Sequence, residues 1–199
     1  MNRKTKYTDN ELQGLNLEEQ DFNNCEFYKC NLSGARFYHC NLQSAHFIRC
    51  FTDLESGYVI FDGANLQNSI IEGCEFPFIS LEDASLENSK IIGCQFPNAN
   101  LAGCNLDNTY ISKLRIPYAK LFLASFRNSR IIDITFEPSY KISLWRILKI
   151  IWHPNPPQQG TIFTSGTELS SFVNYCTKQY RLEQLLTELT RKSLAQRLP

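Results

Sequence analysis

The stretch that decides the fold reads NSIIEGCEFP over residues 68–77 and returns as NSKIIGCQFP over residues 88–97. Looser copies follow at the same spacing, beginning at Asn108 and Asn128. Self-similarity at a fixed period is typical of stacked repeat proteins, in which each unit contacts only its neighbours. The repeat therefore predicts a solenoid, and most of the sequence serves as its scaffold.

A shorter period of five residues lies within each copy of the longer repeat. Leu, Ile or Phe fills 24 such centres in two runs, from Leu12 to Phe47 and from Phe61 to Phe136. A small residue precedes most centres by two positions, and Gly, Asn or Asp often follows by two. Neither the strand period of 2 nor the helix period of 3.6 fits this pattern. Five residues therefore form one side of a square coil, and four such sides complete the coil.

Residues one full coil apart are expected to stack inside the rod, like on like, so that a narrow core fills without voids. The core stacks predicted on two sides are Ile71, Ile91, Ile111 and Ile131, and Phe76, Phe96, Ile116 and Phe136. Because Asn tolerates turn geometry, an amide ladder is expected at one corner, formed by Asn68, Asn88, Asn108 and Asn128.

The pattern resembles the pentapeptide-repeat family, whose consensus is Ala-Asp/Asn-Leu-x-x. Residues 64–66, 99–101 and 104–106 match it well. The resemblance covers residues 11–137 and implies an all-β solenoid, a right-handed quadrilateral β-helix of about six coils. Residues 138–199 are predicted from their own sequence pattern to form a helical extension. Coils spaced by about 4.8 Å would make a rod roughly 29 Å long.

Composition and charge narrow the function classes. The net charge is zero over 199 residues, but residues 11–87 carry 13 acidic and 3 basic side chains, a net charge of −10. Residues 88–137 sum to +3 and residues 138–199 to +5. The polar segment 1–10 lacks a hydrophobic signal, and the chain has no apolar run long enough to span a membrane. We therefore expect a cytoplasmic protein.

Eight cysteines raise the question of disulfides or a metal site. Seven occupy the small-residue position that Ala or Ser fills in other repeats: Cys25, Cys30, Cys40, Cys50, Cys74, Cys94 and Cys104. This placement favours small buried side chains. Stacking of Cys30 on Cys50, or Cys74 on Cys94, is compatible with a disulfide, but a cytosolic setting argues against one. No CxxC pair exists, so we expect no metal and no cofactor.

The five-residue register is interrupted between Phe47 and Phe61, and residues 51–58 are predicted to form a loop. Inserted loops are where repeat proteins often carry function. The candidate partner-contact residues are Phe51, Asp53, Glu55 and Ser56.

Residues 51–56 are similar to the first projecting loop of the quinolone-resistance pentapeptide proteins. That resemblance implies a mimic of duplex DNA that protects or inhibits DNA gyrase or topoisomerase IV. The acidic first half suits a mimic, because a mimic presents negative charge to a basic groove. The chain departs from that group in two respects: no second loop interrupts residues 61–136, and residues 138–199 replace a short dimerisation helix.

The C-terminal region is predicted to contain two helices. The first, residues 140–152, is basic and amphipathic and ends before the prolines of residues 154–157. It is interpreted as a cap over the last coil or as a membrane-surface helix, through Trp145, Arg146, Lys149 and Trp152. A loop over residues 153–166 leads to a second helix, near residues 167–196. Its apolar residues Phe172, Leu185, Leu186 and Leu189 are expected to pack on the rod end or form a homodimer.

Chemistry-bearing motifs are sparse. His39 and His46 lie at surface-type repeat positions, His153 lies in the linker, and no Gly-rich phosphate loop occurs. We therefore predict no catalytic residues and a non-enzymatic protein-interaction scaffold with an unidentified protein partner. The alternatives are the gyrase- or topoisomerase-binding DNA mimic, with no direct binding to nucleic acid, and a peripheral membrane protein attached through residues 140–152.

Overall fold

The computed structural model describes residues 5–9, 11–136 and 161–163. In these ranges the chain forms short β-strands and bridges joined by turns, and no helix. The strands are β1 Lys6–Thr8, β2 Glu26–Tyr28, β3 His46–Ile48, β4 Ile70–Glu72, β5 Lys90–Ile92, β6 Tyr110–Ser112, β7 Leu114–Arg115, β8 Arg130–Ile131, β9 Ile134–Phe136 and β10 Thr161–Phe163.

A parallel sheet of seven strands runs along the rod in the order β1-β2-β3-β4-β5-β6-β8. Its register pairs residues one coil apart, as in Phe27 with Phe47 and Ile71 with Ile91. The exception is the pairing of Phe47 with Ile71, whose longer separation in sequence reflects the interrupted register. Seven successive strands enclose six coils, so the predicted β-solenoid of about six coils is confirmed.

Apart from the β7–β9 pair at the end of one side, the other three sides of the coils are held by single-residue parallel bridges. We number the sheet as side 1 and the rest in chain order. Side 2 contains the bridging residues Asn31, Phe51, Glu75, Gln95 and Arg115; side 3 contains Asn16, Arg36, Ile60, Ser80, Asn100 and Lys120; side 4 contains Asp21, Asn41, Asn65, Ser85, Asn105 and Ser125. Each bridging residue points outward and precedes an inward centre, as the five-residue period requires.

Left-handed backbone turns form the corners. The four corner asparagines Asn68, Asn88, Asn108 and Asn128 have φ values of 59°, 60°, 57° and 56°. The asparagines that precede a centre help the chain into the same turns: Asn65 Oδ1 accepts the Gln67 N–H at 3.1 Å. Such side-chain-to-backbone bonds explain why the repeat consensus favours Asn before Leu.

The core is a continuous column of buried apolar side chains. The rings of Phe27 and Phe47 stack at 4.4 Å between centroids, and those of Phe76 and Phe96 at 5.8 Å. The predicted aliphatic stack is confirmed, because Ile71, Ile91, Ile111 and Ile131 are all buried in register. Ile116 is buried as well. Phe136 lies in β9 as the register requires.

The interpretation of seven cysteines as small buried residues is confirmed. All seven are buried free thiols, and Cys30, Cys50, Cys74 and Cys94 form one uninterrupted column behind side 2. Burial raises the pKa of the Cys40 thiol to about 11 and raises the pKa of Cys104 as well. These two thiols are therefore protonated packing residues at neutral pH.

The solenoid starts earlier than the predicted boundary at residue 11. Strand β1 pairs with β2, and the Tyr7 ring stacks on Phe27 with centroids 5.2 Å apart. Tyr7 is a repeat centre, one coil before Phe27. The polar residues that surround Tyr7 concealed this centre in the sequence.

The last coil is covered on one edge by a returning strand. Thr161–Phe163 pairs antiparallel with β9, which itself pairs with β7. This strand lies inside the predicted loop at residues 153–166, and it shields backbone groups that a parallel solenoid would leave unpaired at its end. The predicted helices at 140–152 and 167–196 lie outside the described residues.

Candidate interaction surface around the interrupted coil

The interruption is narrower than the predicted loop at residues 51–58. Phe51 bridges both Asn31 and Glu75, and the Thr52 N–H donates to the Glu75 carbonyl at 3.1 Å. The coil resumes at Ile60, which bridges Arg36 and Ser80. The loop itself is therefore residues 53–58, and it makes this coil four positions longer than the others.

Thr52 occupies an inward centre directly before the loop. It takes the place that Leu32 and Phe76 fill in the neighbouring coils of the same column, and it is buried. Its hydroxyl oxygen has no hydrogen-bond partner. A buried hydroxyl without a partner reduces stability, as it does at Ser69, Ser85 and Ser89 in the regular coils, and Thr52 in addition replaces a larger apolar centre.

Asp53 organises the loop from within. Its carboxylate accepts the Ser56 N–H at 2.6 Å and a hydrogen bond from the Ser33 hydroxyl at 2.9 Å. The Asn31 amide is a third donor at 3.4 Å. The hydrogen bonds from Ser56 and then those from Ser33 and Asn31 lower the pKa of Asp53 to about 2. Asp53 is thus charged at neutral pH and ties the loop to the preceding coil.

The loop is seated on a glycine corner. Gly34 has φ +70°, and a Cβ added there would lie 2.9 Å from the Ser56 carbonyl oxygen. A Cβ on Gly57 would be in ordinary contact with Gly34. Glycine at position 34 therefore serves both the left-handed turn and the close approach of the loop.

The four sequence-predicted loop residues divide into two pairs. Asp53 and Ser56 are bonded to each other, so they shape the loop. Phe51 and Glu55 are exposed and available to a partner. The sequence analysis did not single out Leu54 and Tyr58. For both residues, the signal in the sequence was an apolar side chain within an otherwise polar insertion.

Carboxylates concentrate on sides 3 and 4. Between residues 11 and 136 these two sides and their corners carry Glu18, Glu19, Asp21, Asp62, Glu82, Asp83, Glu87 and Asp107. The cationic side chains there are Arg36, Lys120 and Arg127. Side 1 is different, because the cations Lys6, Lys29, Arg49, Lys90, Lys113 and Arg130 outnumber the carboxylates Asp9, Glu26, Glu72 and Asp133 on or beside it. The excess of acidic residues in the first half of the sequence thus lies mainly on two of the four sides of the rod.

His39 and His46 lie on the outside of the rod. A Cβ on Gly63 would collide with the His39 imidazole, so His39 lies over that glycine corner, while His46 begins β3. Within the described residues no group of three or more His, Cys, Asp or Glu side chains is placed to hold a metal ion. The same part of the chain contains no helix of the length and apolarity that crossing a bilayer requires.

The other candidate residues of the sequence analysis lie outside the described residues. These are the cap or membrane-helix residues Trp145, Arg146, Lys149 and Trp152, and the packing or dimer residues Phe172, Leu185, Leu186 and Leu189. A membrane-bound or dimeric protein built on them stays a prediction.

Comparisons with known proteins indicate the class of protein that this chain resembles. The sequence profile of pentapeptide repeats matches eight copies over residues 11–50 and 79–113. No curated protein sequence matches the chain. Among solved structures, Rfr23, a pentapeptide repeat protein from the cyanobacterium Cyanothece 51142, is 18% identical over 62% of this chain and 89% of that chain, with a TM-score of 0.51.

Two further structures are similar at lower TM-scores. Full-length QnrB1, a plasmid-mediated fluoroquinolone resistance protein, is 18% identical over 66% of this chain and 77% of that chain, with a TM-score of 0.42. HetL, a pentapeptide repeat protein involved in heterocyst differentiation regulation from Nostoc sp. strain PCC 7120, is 15% identical over 63% and 86%, with a TM-score of 0.24. Of these three, Rfr23 shows the shared fold.

The fold thus defines a four-sided parallel β-solenoid with a five-residue period. Together with the matched repeats, it confirms the resemblance on which the sequence analysis relied. The chain contains pentapeptide repeats over residues 11–50 and 79–113.

Proposed function

We propose that this protein is a non-enzymatic interaction scaffold that works in the cytoplasm and binds a protein partner through the acidic sides and the loop. The observation that carries the proposal is the division between inside and outside. The inward positions between residues 11 and 136 hold a packed column of apolar and small side chains, whereas charged groups lie on the outer sides. Such a rod offers a long surface for recognition.

The charge on that surface indicates the kind of partner. Two pairs of carboxylates on sides 3 and 4, Asp62 with Glu82 and Glu87 with Asp107, lie one coil apart at about the strand spacing of 4.8 Å, so their fields add. Asp62 and Glu82 are neighbours in this arrangement, since the Glu82 N–H donates to Asp62 Oδ1 at 3.0 Å. A basic protein surface complements it.

A charge-reversal experiment tests the scaffold proposal. The tagged protein is cross-linked to its partners in a bacterial lysate, and the identified partner is purified and titrated at low and high salt. We expect affinity to fall with salt and to fall further in the double variant Glu18→Lys with Glu82→Lys. Glu72→Lys on side 1 is the matched control, because Glu72 is exposed on the opposite side of the rod. Equal binding by all three proteins would remove the acidic sides from the interaction.

The DNA mimic that binds DNA gyrase or topoisomerase IV is the second candidate. The excess of carboxylates on two adjoining sides favours it, because a mimic must present negative charge along a rod. Purified protein is expected to change gyrase supercoiling and fluoroquinolone-induced cleavage, and the Glu18→Lys, Glu82→Lys variant to change them less. If wild-type protein leaves both reactions unchanged, this candidate is discarded, while the scaffold proposal still depends on its own partner titration.

A further inference from the structure

An apolar ridge runs along the corner between sides 2 and 3, beside the loop. We define it as Leu54, Tyr58, Phe78 and Tyr118. Their exposed fractions are 68%, 50%, 47% and 41%. Phe51, 41% exposed, lies next to it on side 2. Tyr58 lies two residues before Ile60, and Phe78 lies two residues before Ser80. Because Ile60 bridges Ser80, Tyr58 and Phe78 lie at the same corner in neighbouring coils. Tyr118 follows two coils further on, and Asn98 occupies the coil between.

The fold does not require these aromatic residues at their corners. Phe78 and Tyr118 adopt φ values of +59° and +60°, a region that bulky side chains rarely occupy. Asn98 takes φ +58° in the same column, and glycine or asparagine fills most other corners. The two rings are thus held in an unfavoured backbone conformation and also exposed to water. Lys29, Arg49 and Leu123 adopt the same conformation at other corners, so it is the exposure of the two rings that indicates a binding role.

The ridge is rigidly presented. Pro77 precedes Phe78, and the Ile79 N–H closes the turn on the Phe76 carbonyl at 3.3 Å. Proline at the second turn position fixes φ before the left-handed residue. Pro117 stands in the same place before Tyr118, where the Ala119 N–H donates to the Ile116 carbonyl. A preordered ring loses little freedom on binding, which favours affinity.

Charges beside the ridge change sign along its length. Exposed Glu55 and Glu75 lie in the loop and on side 2 near Phe78, with exposed Arg36 on side 3 in the coil before Ile60. At the far end, Arg115 and Lys120 flank Tyr118. An occupant that complements this pattern places cationic side chains at the loop end and apolar side chains along the corner.

We propose that the apolar ridge docks a cationic, apolar-rich segment of a partner protein, with the rings of Phe78 and Tyr118 as anchors and Glu55 and Glu75 as charge partners. This inference rests on the proposed scaffold function and names its partner class. The acidic sides steer the basic partner, and the ridge supplies the desolvated contact that aromatic anchors give to interfaces.

A displayed library of random peptides tests this proposal with the full chain. Selection on the wild-type protein is expected to enrich peptides that combine Lys or Arg with Leu or aromatic residues. Their affinity is expected to fall at least about tenfold for the double variant Phe78→Asn with Tyr118→Asn. Asn98 shows that the corner accepts asparagine, so the variant keeps its fold and an unchanged circular dichroism spectrum is expected.

Leu123→Asn is the matched control. Leu123 is 52% exposed with φ +58°, but it lies on the next corner, between sides 3 and 4. We expect it to bind the selected peptides like wild type. Enriched peptides that are acidic, that bind the double variant equally well, or that fail to appear at all would overturn the proposal.

Measuring the oligomeric state tests the remaining alternative, in which a second copy of this chain covers the ridge. A wild-type dimer that Phe78→Asn with Tyr118→Asn converts into a monomer would show that a second copy covers the ridge, and would also overturn the proposal. Failure here leaves the scaffold function testable, because the charge-reversal titration concerns sides 3 and 4 and needs no residue of the ridge.

Discussion

The regular coils from Phe61 to Ile131 and the interrupted coil around residues 52–60 differ in the residues that fill their inward centres. In the regular coils each centre is a buried Leu, Ile or Phe that stacks on its counterpart in the next coil. In the interrupted coil the corresponding centre is the polar Thr52, and an inserted loop follows it. Leu54 and Tyr58 are then exposed rather than buried.

This difference indicates that the regular coils provide most of the stability, whereas the interrupted coil serves recognition. A repeat protein derives its stability from unit cores and from the interfaces between neighbouring units, so the most regular coils contribute most. A coil that replaces an apolar centre and exposes apolar side chains contributes less to that sum. The interrupted coil therefore has the character of a functional element, and substitutions in the two regions are expected to differ in size and even in sign.

The largest effect is expected in the regular region. Ile91 lies mid-stack between Ile71 and Ile111, so Ile91→Ala leaves a cavity and should reduce the free energy of unfolding by roughly 2–5 kcal/mol. Chemical denaturation followed by circular dichroism measures it. Wild-type stability in this variant would show that the stack contributes little.

A smaller loss is expected under the loop. In Gly34→Ala the new Cβ meets the Ser56 carbonyl in addition to the left-handed strain, which together should cost about 1–3 kcal/mol. Gly93→Ala is the control, because Gly93 has φ +63° and no atom within 4 Å of an added Cβ. We expect a smaller loss for Gly93→Ala. Equal losses would mean that the loop yields without resistance.

A gain is expected at the interrupted centre. Thr52→Val removes the unpartnered hydroxyl and keeps the shape, so stability should rise by about 1 kcal/mol. Thr109 in the regular region is the matched contrast, since its hydroxyl donates to the Leu106 carbonyl or to Ser129. Thr109→Val should lower stability by a similar amount. A loss in both variants would contradict the difference between the two regions.

The smallest effect concerns acid. Hydrogen bonds from Ser56, Ser33 and Asn31 hold the pKa of Asp53 at about 2, below the ordinary 3.8. A lowered pKa stabilises the folded loop above the ordinary value, and this contribution is lost as the pH falls through about 2. Nuclear magnetic resonance titration of the Asp53 carboxyl carbon should give a midpoint near 2. A midpoint near 3.8 would show that the carboxylate does not hold the loop.

The sequence was sufficient for the fold, because stacking from coil to coil places like residues on like and the five-residue period appears directly in the spacing. Tyr7 was not predicted as a repeat centre because its neighbours are polar. The loop was predicted to start at residue 51 instead of residue 53, because Phe51 and Thr52 are atypical repeat residues that are nevertheless in register. Within the loop, the inward role of Asp53 could not be predicted: it depends on Ser33, which reaches it only after the coils stack. The ridge likewise depends on which corner each aromatic residue occupies.

The most direct test of the account is the stability of a chain whose loop has been removed. Deleting residues 54–57 and changing Tyr58→Gly restores a coil of regular length with Thr52 as centre and glycine at the corner. If the inner column holds the fold and the loop serves recognition, the free energy of unfolding should stay within about 1 kcal/mol of wild type. A loss as large as that expected for Ile91→Ala would contradict this account, because the loop would then be part of what holds the rod together.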